Sequence, residues 1–424
     1  MPASALKGML DTLPDETPRW RLVEARVREV CALFGYSEIR TPVLEQTELF
    51  IRTVGESSDV VRKEMYTFQD RGGRSVTMRP EGTAPAARAY VQHRMYLKPQ
   101  PVKVFYIAPM FRYERPQGGR LRQHTQFGIE AFGSSHPAVD AEVVSVGLSL
   151  FGRLGLGGLS VQLNSIGCPR CRPAYREALR DYYRGVVGEL CGDCRERFEK
   201  NPLRLLDCKR DECRKYRERA PRTVDYLCAE CADHFEAVKE YLGDAGFTFE
   251  VNPLLVRGLD YYTRTVFEIV SATLGAQNSV CSGGRYDGLV EQIGGPPTPG
   301  VGFGLGLERL LLSLENQGVA LPGPAGLDVF VATVGEEAFK SGLRTLHALR
   351  KAGLTSDTDY MGRSLKAQLK HADRLGARFV LLLGEDELAR LSCTIRRMDT
   401  GAQWQVPLDE VPSWLLRHEN GIER

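Results

Sequence analysis

Residues 111–130 read FRYERPQGGRLRQHTQFGIE. Within 111–122 stand four arginines, Arg112, Arg115, Arg120 and Arg122, and one acid, Glu114, around a Pro-Gln-Gly-Gly turn. A guanidinium is always charged, and its planar fork grips a phosphate or carboxylate through two hydrogen bonds. Such a hairpin is either a solvated surface turn or a site for a large anion. Three further stretches carry comparable chemistry. Arg257-Gly258-Leu259-Asp260-Tyr261-Tyr262 puts a charge into an otherwise apolar strand pattern, which costs free energy unless the charge is paired, as in an Arg257–Asp260 couple. Gly302-Phe303-Gly304-Leu305-Gly306-Leu307-Glu308-Arg309 sets glycines, which admit close backbone approach, ahead of an arginine on the first turn of a helix. It lacks GxGxxG and a following ribose-binding acid, which excludes a dinucleotide fingerprint. Arg79-Pro80-Glu81-Gly82-Thr83 places a carboxylate where it either caps a helix or binds a cation.

A fifth constellation is sulfur. Eight of the eleven cysteines fall between residues 168 and 231, as Cys168-x2-Cys171, Cys191-x2-Cys194, Cys208-x4-Cys213 and Cys228-x2-Cys231. The first two pairs make CxxC-x19-CxxC, close to a four-cysteine zinc spacing. Eight thiolates suffice for two tetrahedral Zn²⁺ ions; the alternative is reduced cysteines packed without metal. Cys31, Cys281 and Cys393 have no partner pattern and read as core.

The elements that must position these residues follow from periodicity. Residues 19–34 repeat apolar positions at helical spacing and stop at Gly35. YSEIRTPVLE is strand-like, and MYTFQDRGGRSVTMR reads as a hairpin. VKVFYIAPMFRYE alternates as a strand that carries Arg112, and FGIEAFG returns. Residues 165–250 are Cys-rich, Arg-rich and helical in pattern, an insertion. Strand patterns resume over 254–270 and near 280, and GVGFGLGLERLLLSLE runs from strand into helix. After the linker LPGPAG, strand and helix alternate, with a helix over 363–376.

The whole has 424 residues, enough for two or three domains at about 150 residues each. Apolar residues make up 42% and charged residues 26%, ordinary for a globular chain with a sizeable core. A net charge of +2 means that any nucleic-acid footprint is a local patch. The N-terminus has no signal-peptide pattern and no apolar run is long enough to span a bilayer, so a cytoplasmic protein with reduced cysteines is expected.

Taken together, these stretches resemble the signature set of class II aminoacyl-tRNA synthetases. The segment ending at Pro42 is similar to motif one, FRYE with its loop and Phe127 to motif two, and GFGLGLER to motif three. LVRGLDYY, RPEGT and SGGRYDGL resemble the histidyl-tRNA synthetase family, and residues 362–388 resemble its C-terminal anticodon-binding domain. The resemblance implies an α+β fold. A catalytic domain on an antiparallel sheet (1–164 and 251–322) would carry a helical Cys-rich insertion (165–250), followed by a small α/β anticodon-binding domain (327–424).

It also implies chemistry: activation of L-histidine by ATP, with Mg²⁺, and transfer to the 3′ end of tRNA(His) by a homodimer. Arg112 would bridge the α-phosphate and the histidine carboxylate, Arg257 would approach from the other side, and Arg309 would hold the γ-phosphate end. Glu114, Arg120 and Phe127 would complete the ATP site. Glu81, Gly82, Thr83, Gln126, Glu130, Tyr261 and Tyr262, with Arg112 and Arg257, would bind histidine. Gln117 and Arg122 would reach the tRNA acceptor end. Imidazole offers two ring nitrogens to a carboxylate and a hydroxyl. A site built that way discriminates by about 10⁴–10⁵ without editing.

Lys366, Lys370 and Arg374 form a basic stripe on the 363–376 helix, either a solvated face or a tRNA contact. The chain departs from the family at His124-Thr125, where an aromatic is usual, and at Val280-Cys281-Ser282, where glycine is richer. The rival readings are a synthetase-like regulatory subunit of ATP phosphoribosyltransferase and a metal- or RNA-binding module. Regulators of that kind erode the arginine set and lack the C-terminal domain, both of which this chain keeps.

Overall fold

A computed structural model describes residues 3–55, 58–116, 119–271 and 279–419. The chain divides into two units, Met1–Leu321 and Pro322–Arg424.

The first unit opens with α1 (Thr17–Leu33), which buries Val23, Val27 and Val30 on one face and ends ahead of Gly35 at φ +76°. The strand-like run that follows is broken into β1 (Ser37–Glu38) and β2 (Leu44–Gln46). Pro42 has no N–H to give a ladder, and the buried Arg79 takes the freed carbonyls instead. Its Nη1 donates to Thr41 O at 2.8 Å and to Pro42 O at 3.3 Å, while its Nε reaches Pro109 O in the later strand 102–111 at 2.9 Å. After α2 (Thr47–Val54), β3 (Tyr66–Gln69) and β4 (Ser75–Met78) form the expected hairpin, and β4 also pairs with β2. Asp70 Oδ1 closes its turn by accepting from the N–H groups of Gly72 and Arg74, both at 2.9 Å.

Next come α3 (Thr83–Gln92), β5 (Val102–Phe111), β6 (Gln123–Phe132), α4 (Pro137–Arg153) and β7 (Leu159–Ser165). The insertion contributes α5 (Arg172–Arg184), α6 (Gly192–Lys200), α7 (Asp211–Arg217) and α8 (Ala229–Asp244). The unit closes with β8 (Phe249–Val251), β9 (Thr263–Ser271), β10 (Ser279–Arg285), α9 (Leu289–Gln292), β11 (Gly300–Gly306) and α10 (Leu307–Asn316).

Eight strands form one sheet in the order β1-β5-β6-β11-β10-β9-β7-β8. Its six inner strands run antiparallel, and the edge pairs β1–β5 and β7–β8 run parallel. One face packs Phe127, Ile129, Phe267, Phe303 and Leu305 against α1, α4, α8 and α10. The opposite face packs Tyr106, Phe132, Tyr261, Tyr262 and Tyr286 with residues of α3 and α9. The expected strand over 254–270 starts only at Thr263; residues 254–262 lie outside the sheet as loop and turn.

In the second unit β12 (Val329–Thr333), α11 (Glu336–Lys351), β13 (Ser356–Thr358), α12 (Leu365–Arg374), β14 (Phe379–Leu383), α13 (Glu385–Ala389), β15 (Ser392–Arg397), β16 (Gln403–Pro407) and α14 (Val411–Glu419) follow in turn. Its sheet runs β13-β12-β14-β15-β16, parallel between β12 and its two neighbours and antiparallel beyond. No helix among the described residues is long and apolar enough to cross a membrane.

Candidate active site

Directly opposed residues on neighbouring strands point to the same face, so register fixes what the site face carries. One row across the sheet is Tyr106, Gly128, Gly304, Ser282 and Glu268; the next is Val104, Glu130, Gly302, Gly284 and Val266. Glycine makes this face concave. A Cβ on Gly302 would collide with the Glu130 carboxylate, one on Gly304 with the Gln126 amide, and one on Gly82 or Gly128 with the Tyr106 ring. Each missing side chain is therefore the space a polar side chain occupies.

At the floor, Glu130 is fully buried. Its Oε1 accepts from Thr83 Oγ1 at 2.8 Å and Tyr106 OH at 3.1 Å, and its Oε2 accepts from Tyr286 OH. Burial pushes the Glu130 carboxyl up to about 8, against the pull of the Tyr286, Thr83 and Tyr106 hydroxyls. Gln126 Nε2 donates to Tyr106 OH at 3.3 Å. The Tyr261 ring lies 4.6 Å from that of Tyr262 and 5.7 Å from that of Tyr286, completing an aromatic wall. Glu81 caps α3: its Oε2 accepts from Thr83 N–H at 2.7 Å and its Oε1 from Ala84 N–H at 2.9 Å. Burial raises its pKa; those N–H groups and the charge of Arg112 pull the other way. Glu81 thus caps the helix, and Arg112 lies within its electrostatic reach.

Two of the cations border this floor, Arg112 beside Glu81 and Arg257 over the Tyr262 ring. Arg112 sits one residue past the end of β5 rather than within it. It is held nonetheless: Nε donates to Pro80 O at 2.7 Å and its backbone N–H to Arg122 O at 2.8 Å. Arg257 donates from Nη1 to Glu268 Oε1 at 2.7 Å and from Nη2 to Ser282 Oγ at 2.9 Å, and lies 5.3 Å from the Tyr262 ring centre. Arg309, on the first turn of α10, donates from Nη1 to Ser279 O at 3.1 Å. Burial and the charge of Arg120 lower its pKa, while Glu114 and Glu268 raise it. Glu268 therefore acts on Arg257 and Arg309 together. Burial, then Arg112 and Arg120, depress His124 to about 3, leaving a neutral imidazole on the site face. Arg120 Nη1 reaches Glu114 Oε2 at 3.3 Å, and the Arg122 guanidinium stacks 3.8 Å from the Tyr113 ring centre. Gln117 lies outside the described residues.

The structure removes Phe127 from the ATP set. Alternation along β6 sends its ring to the helix face, where it is fully buried against Phe105 and Phe303. Sequence reasoning also missed Tyr106, Tyr286 and Glu268. All three had a signal: Tyr106 and Tyr286 are polar-tipped residues in strand-like or motif context, and Glu268 is an acid within the otherwise apolar run VFEIV.

Comparison with known proteins settles the lineage. A family model described as histidyl-tRNA synthetase matches residues 8–310, and one described as anticodon binding domain matches residues 328–418. The chain belongs to the histidyl-tRNA synthetase family. The histidine–tRNA ligase of Pelotomaculum thermopropionicum is 53% identical over 415 residues, covering 98% of both chains. That of Desulforudis audaxviator is 54% identical over 415 residues, covering 98% of this chain and 99% of its own. The structure of the apo histidyl-tRNA synthetase of S. aureus superposes with a TM-score of 0.83 at 39% identity, covering 97% of this chain and 99% of the other.

In this member of the histidyl-tRNA synthetase family the eight cysteines of the insertion gather into two cages. Cys168, Cys171, Cys228 and Cys231 form one and Cys191, Cys194, Cys208 and Cys213 the other, with the Sγ atoms of each within 4.8 Å of one another. Sequence spacing puts the first two pairs together. The folded chain instead nests the second and third pairs inside the first and fourth. The Sγ separations are 3.6 Å for Cys168–Cys171, 4.0 Å for Cys168–Cys228 and 3.8 Å for Cys191–Cys208. A tetrahedron of about 2.3 Å zinc–sulfur bonds has edges of about 3.8 Å, so both cages suit Zn²⁺. Cys31, Cys281 and Cys393 are buried singly in the cores.

Proposed function

We infer that this chain is a histidine–tRNA ligase. It activates L-histidine with ATP and transfers it to the 3′ end of tRNA(His). The observation that carries the reading is the meeting, on one sheet face, of a buried carboxyl group wrapped in hydroxyls with separately anchored arginines. The first step brings a carboxylate to a phosphate, anion to anion, so fixed positive charge contributes more than acid–base chemistry.

A histidine carboxylate oxygen attacks the α-phosphorus, the bond to the β-phosphate breaks, and pyrophosphate leaves. Arg112 bridges the carboxylate and the α-phosphate; Arg257 approaches that phosphate from the opposite side. Arg309 and Arg120 hold the distal phosphates, and Glu114 accepts from the adenine amino group, with His124 in the stacking position. Mg²⁺ arrives with ATP and neutralises phosphate charge. The 3′-terminal hydroxyl of the tRNA then attacks the activated carbonyl carbon, and AMP leaves.

Glu81 and Thr83 serve the amino group. Glu130, Gln126, Tyr261 and Tyr262 serve the imidazole. A side chain that cannot hydrogen-bond would strand buried polar groups, which supports selection of histidine by binding alone. Arg122 and Gln117 serve the acceptor end, and residues 327–424 the anticodon. The catalytic domain comprises 1–164 and 251–322, carries the 165–250 insertion, and pairs into a homodimer through the motif-one segment. Each cysteine cage holds one structural Zn²⁺. The protein works in the cytoplasm. A regulatory role without catalysis fits poorly with a complete arginine set. Histidine-dependent exchange of labelled pyrophosphate into ATP, followed by charging of tRNA(His), tests the reading; a chain that exchanges nothing overturns it.

A further inference from the structure

Residues 257–264 carry Arg257, Tyr261 and Tyr262, yet the stretch up to Tyr262 has no strand ladder of its own. Polar contacts from the insertion hold it. From the cage of Cys191, Cys194, Cys208 and Cys213, the segment between Cys194 and Cys208 reaches out twice. Asn201 Nδ2 donates to Asp260 Oδ1 at 3.0 Å, and Arg204 Nη1 donates to Gly258 O at 2.7 Å. Arg204 is anchored in turn, with Nη2 3.2 Å from Asp59 Oδ2 and its side chain 13% exposed. From the other cage, Arg172, next to Cys171, donates from Nη2 to Tyr262 O. Gly167 O accepts from Arg264 N–H at 2.9 Å, and Arg264 Nη2 grips Glu230, which lies between Cys228 and Cys231. Val256, next to Arg257, is buried in the insertion's own apolar cluster.

We propose that the two metal-filled cages act as a clamp on residues 257–264, so that the Cys-rich insertion sets the affinity for histidine by positioning Arg257, Tyr261 and Tyr262. The proposal rests on the histidine-site and zinc readings above. One cage grips the segment at residues 258 and 260, the other at 262 and 264. A small metal-dependent fold keeps its shape only while the metal is bound. Without it, Arg204 and Arg172 lose their footing, and the loop samples conformations in which the two tyrosines and Arg257 no longer converge. Arg204, Asn201 and Arg172 are positioning residues, since none is placed on the substrate.

Full-length protein purified with its native metal provides the test. Arg204→Met should keep the zinc content of the parent while KM for histidine in pyrophosphate exchange rises about tenfold, the effect of one well-placed hydrogen bond to a backbone carbonyl. KM for ATP should stay within about twofold, and Arg204→Lys, which still reaches a single carbonyl, should recover most of the loss. Removing zinc with a chelator should weaken histidine binding, followed by calorimetry, in step with the zinc released. An unchanged histidine KM in Arg204→Met overturns the grip. Zinc released with histidine affinity intact, or protein that carries no zinc as purified, overturns the metal-dependent half. If the parent shows no exchange, the ligase reading fails by itself, and calorimetric histidine binding by the parent and Arg204→Met still decides the clamp.

Discussion

Arg257 Nη1 lies 2.7 Å from Glu268 Oε1, a partner eleven residues along the chain on the neighbouring strand β9. The ion pair aims the guanidinium across the sheet face, with Ser282 Oγ fixing the second nitrogen at 2.9 Å. Arg257→Ala should lower the rate of histidine-dependent pyrophosphate exchange by about 10²–10³, the usual loss when one preorganised donor is removed from a developing charge. Glu268→Gln keeps the hydrogen-bond geometry and removes the charge, so a smaller loss of about tenfold is expected. Equal losses in the two variants would show that Glu268 acts on the substrate itself.

Without substrates, Glu130 should make the protein less stable as pH rises. Its carboxyl, normally near 4.5, is raised by burial to about 8. Between those values the unfolded chain gives up the proton and the folded chain keeps it, so stability falls with rising pH and is fully present only below about 4.5. The window is worth on the order of a few kcal/mol. Glu130→Gln cannot titrate, so its thermal midpoint, measured without substrates, should decline less than the parent's between pH 5 and 8, by roughly several degrees. Parallel curves would mean that Glu130 is already ionised without substrates.

Gly302 and Gly304 should respond differently to the same added methyl. At Gly304 it meets only the flexible Gln126 side chain, whereas at Gly302 it meets the Ile129 carbonyl as well as Glu130. Gly304→Ala should fold, displace Gln126 and raise KM for histidine by about tenfold or more. Gly302→Ala must shift backbone and should lose roughly 2–3 kcal/mol in denaturant unfolding. Similar unfolding curves for the two variants would contradict the register described for β6 and β11.

Cage connectivity can be read from zinc stoichiometry. With the first cysteine pair joined to the fourth, Cys171→Ser/Cys228→Ser damages one cage, and Cys171→Ser/Cys194→Ser damages both. Metal analysis should find about one zinc in the first double variant and about none in the second. The reverse ranking would restore the pairing suggested by sequence spacing.

Lys366, Lys370 and Arg374 are exposed along α12, opposite the buried Gln368 and Ala372. Replacing each by Gln should reduce the slope of log affinity for tRNA against log salt by about 0.7–0.9 for each phosphate that the variant no longer neutralises. An unchanged slope would return the stripe to being a solvated helix face.

Much was legible in the sequence because it is written in local periodicity and residue chemistry. The hairpin at 65–79, the strands leading into and out of the arginine loop, the helix that begins at motif three and the alternating second unit all come from patterns a few residues long. The same period of two placed Phe127 opposite Gln126 and Glu130, so its burial in the helix-side core was available from the strand alone. Spacing could not decide which cysteine pairs share a cage, because that depends on how α5 to α8 pack, not on the shortest loop. Nor could it identify Glu268 as the partner of Arg257, or Arg204 and Arg172 as the groups that hold the Arg257 segment. The first pairing spans a turn and the others join residues more than fifty positions apart, and tertiary packing alone determines which polar groups must satisfy one another once water is gone.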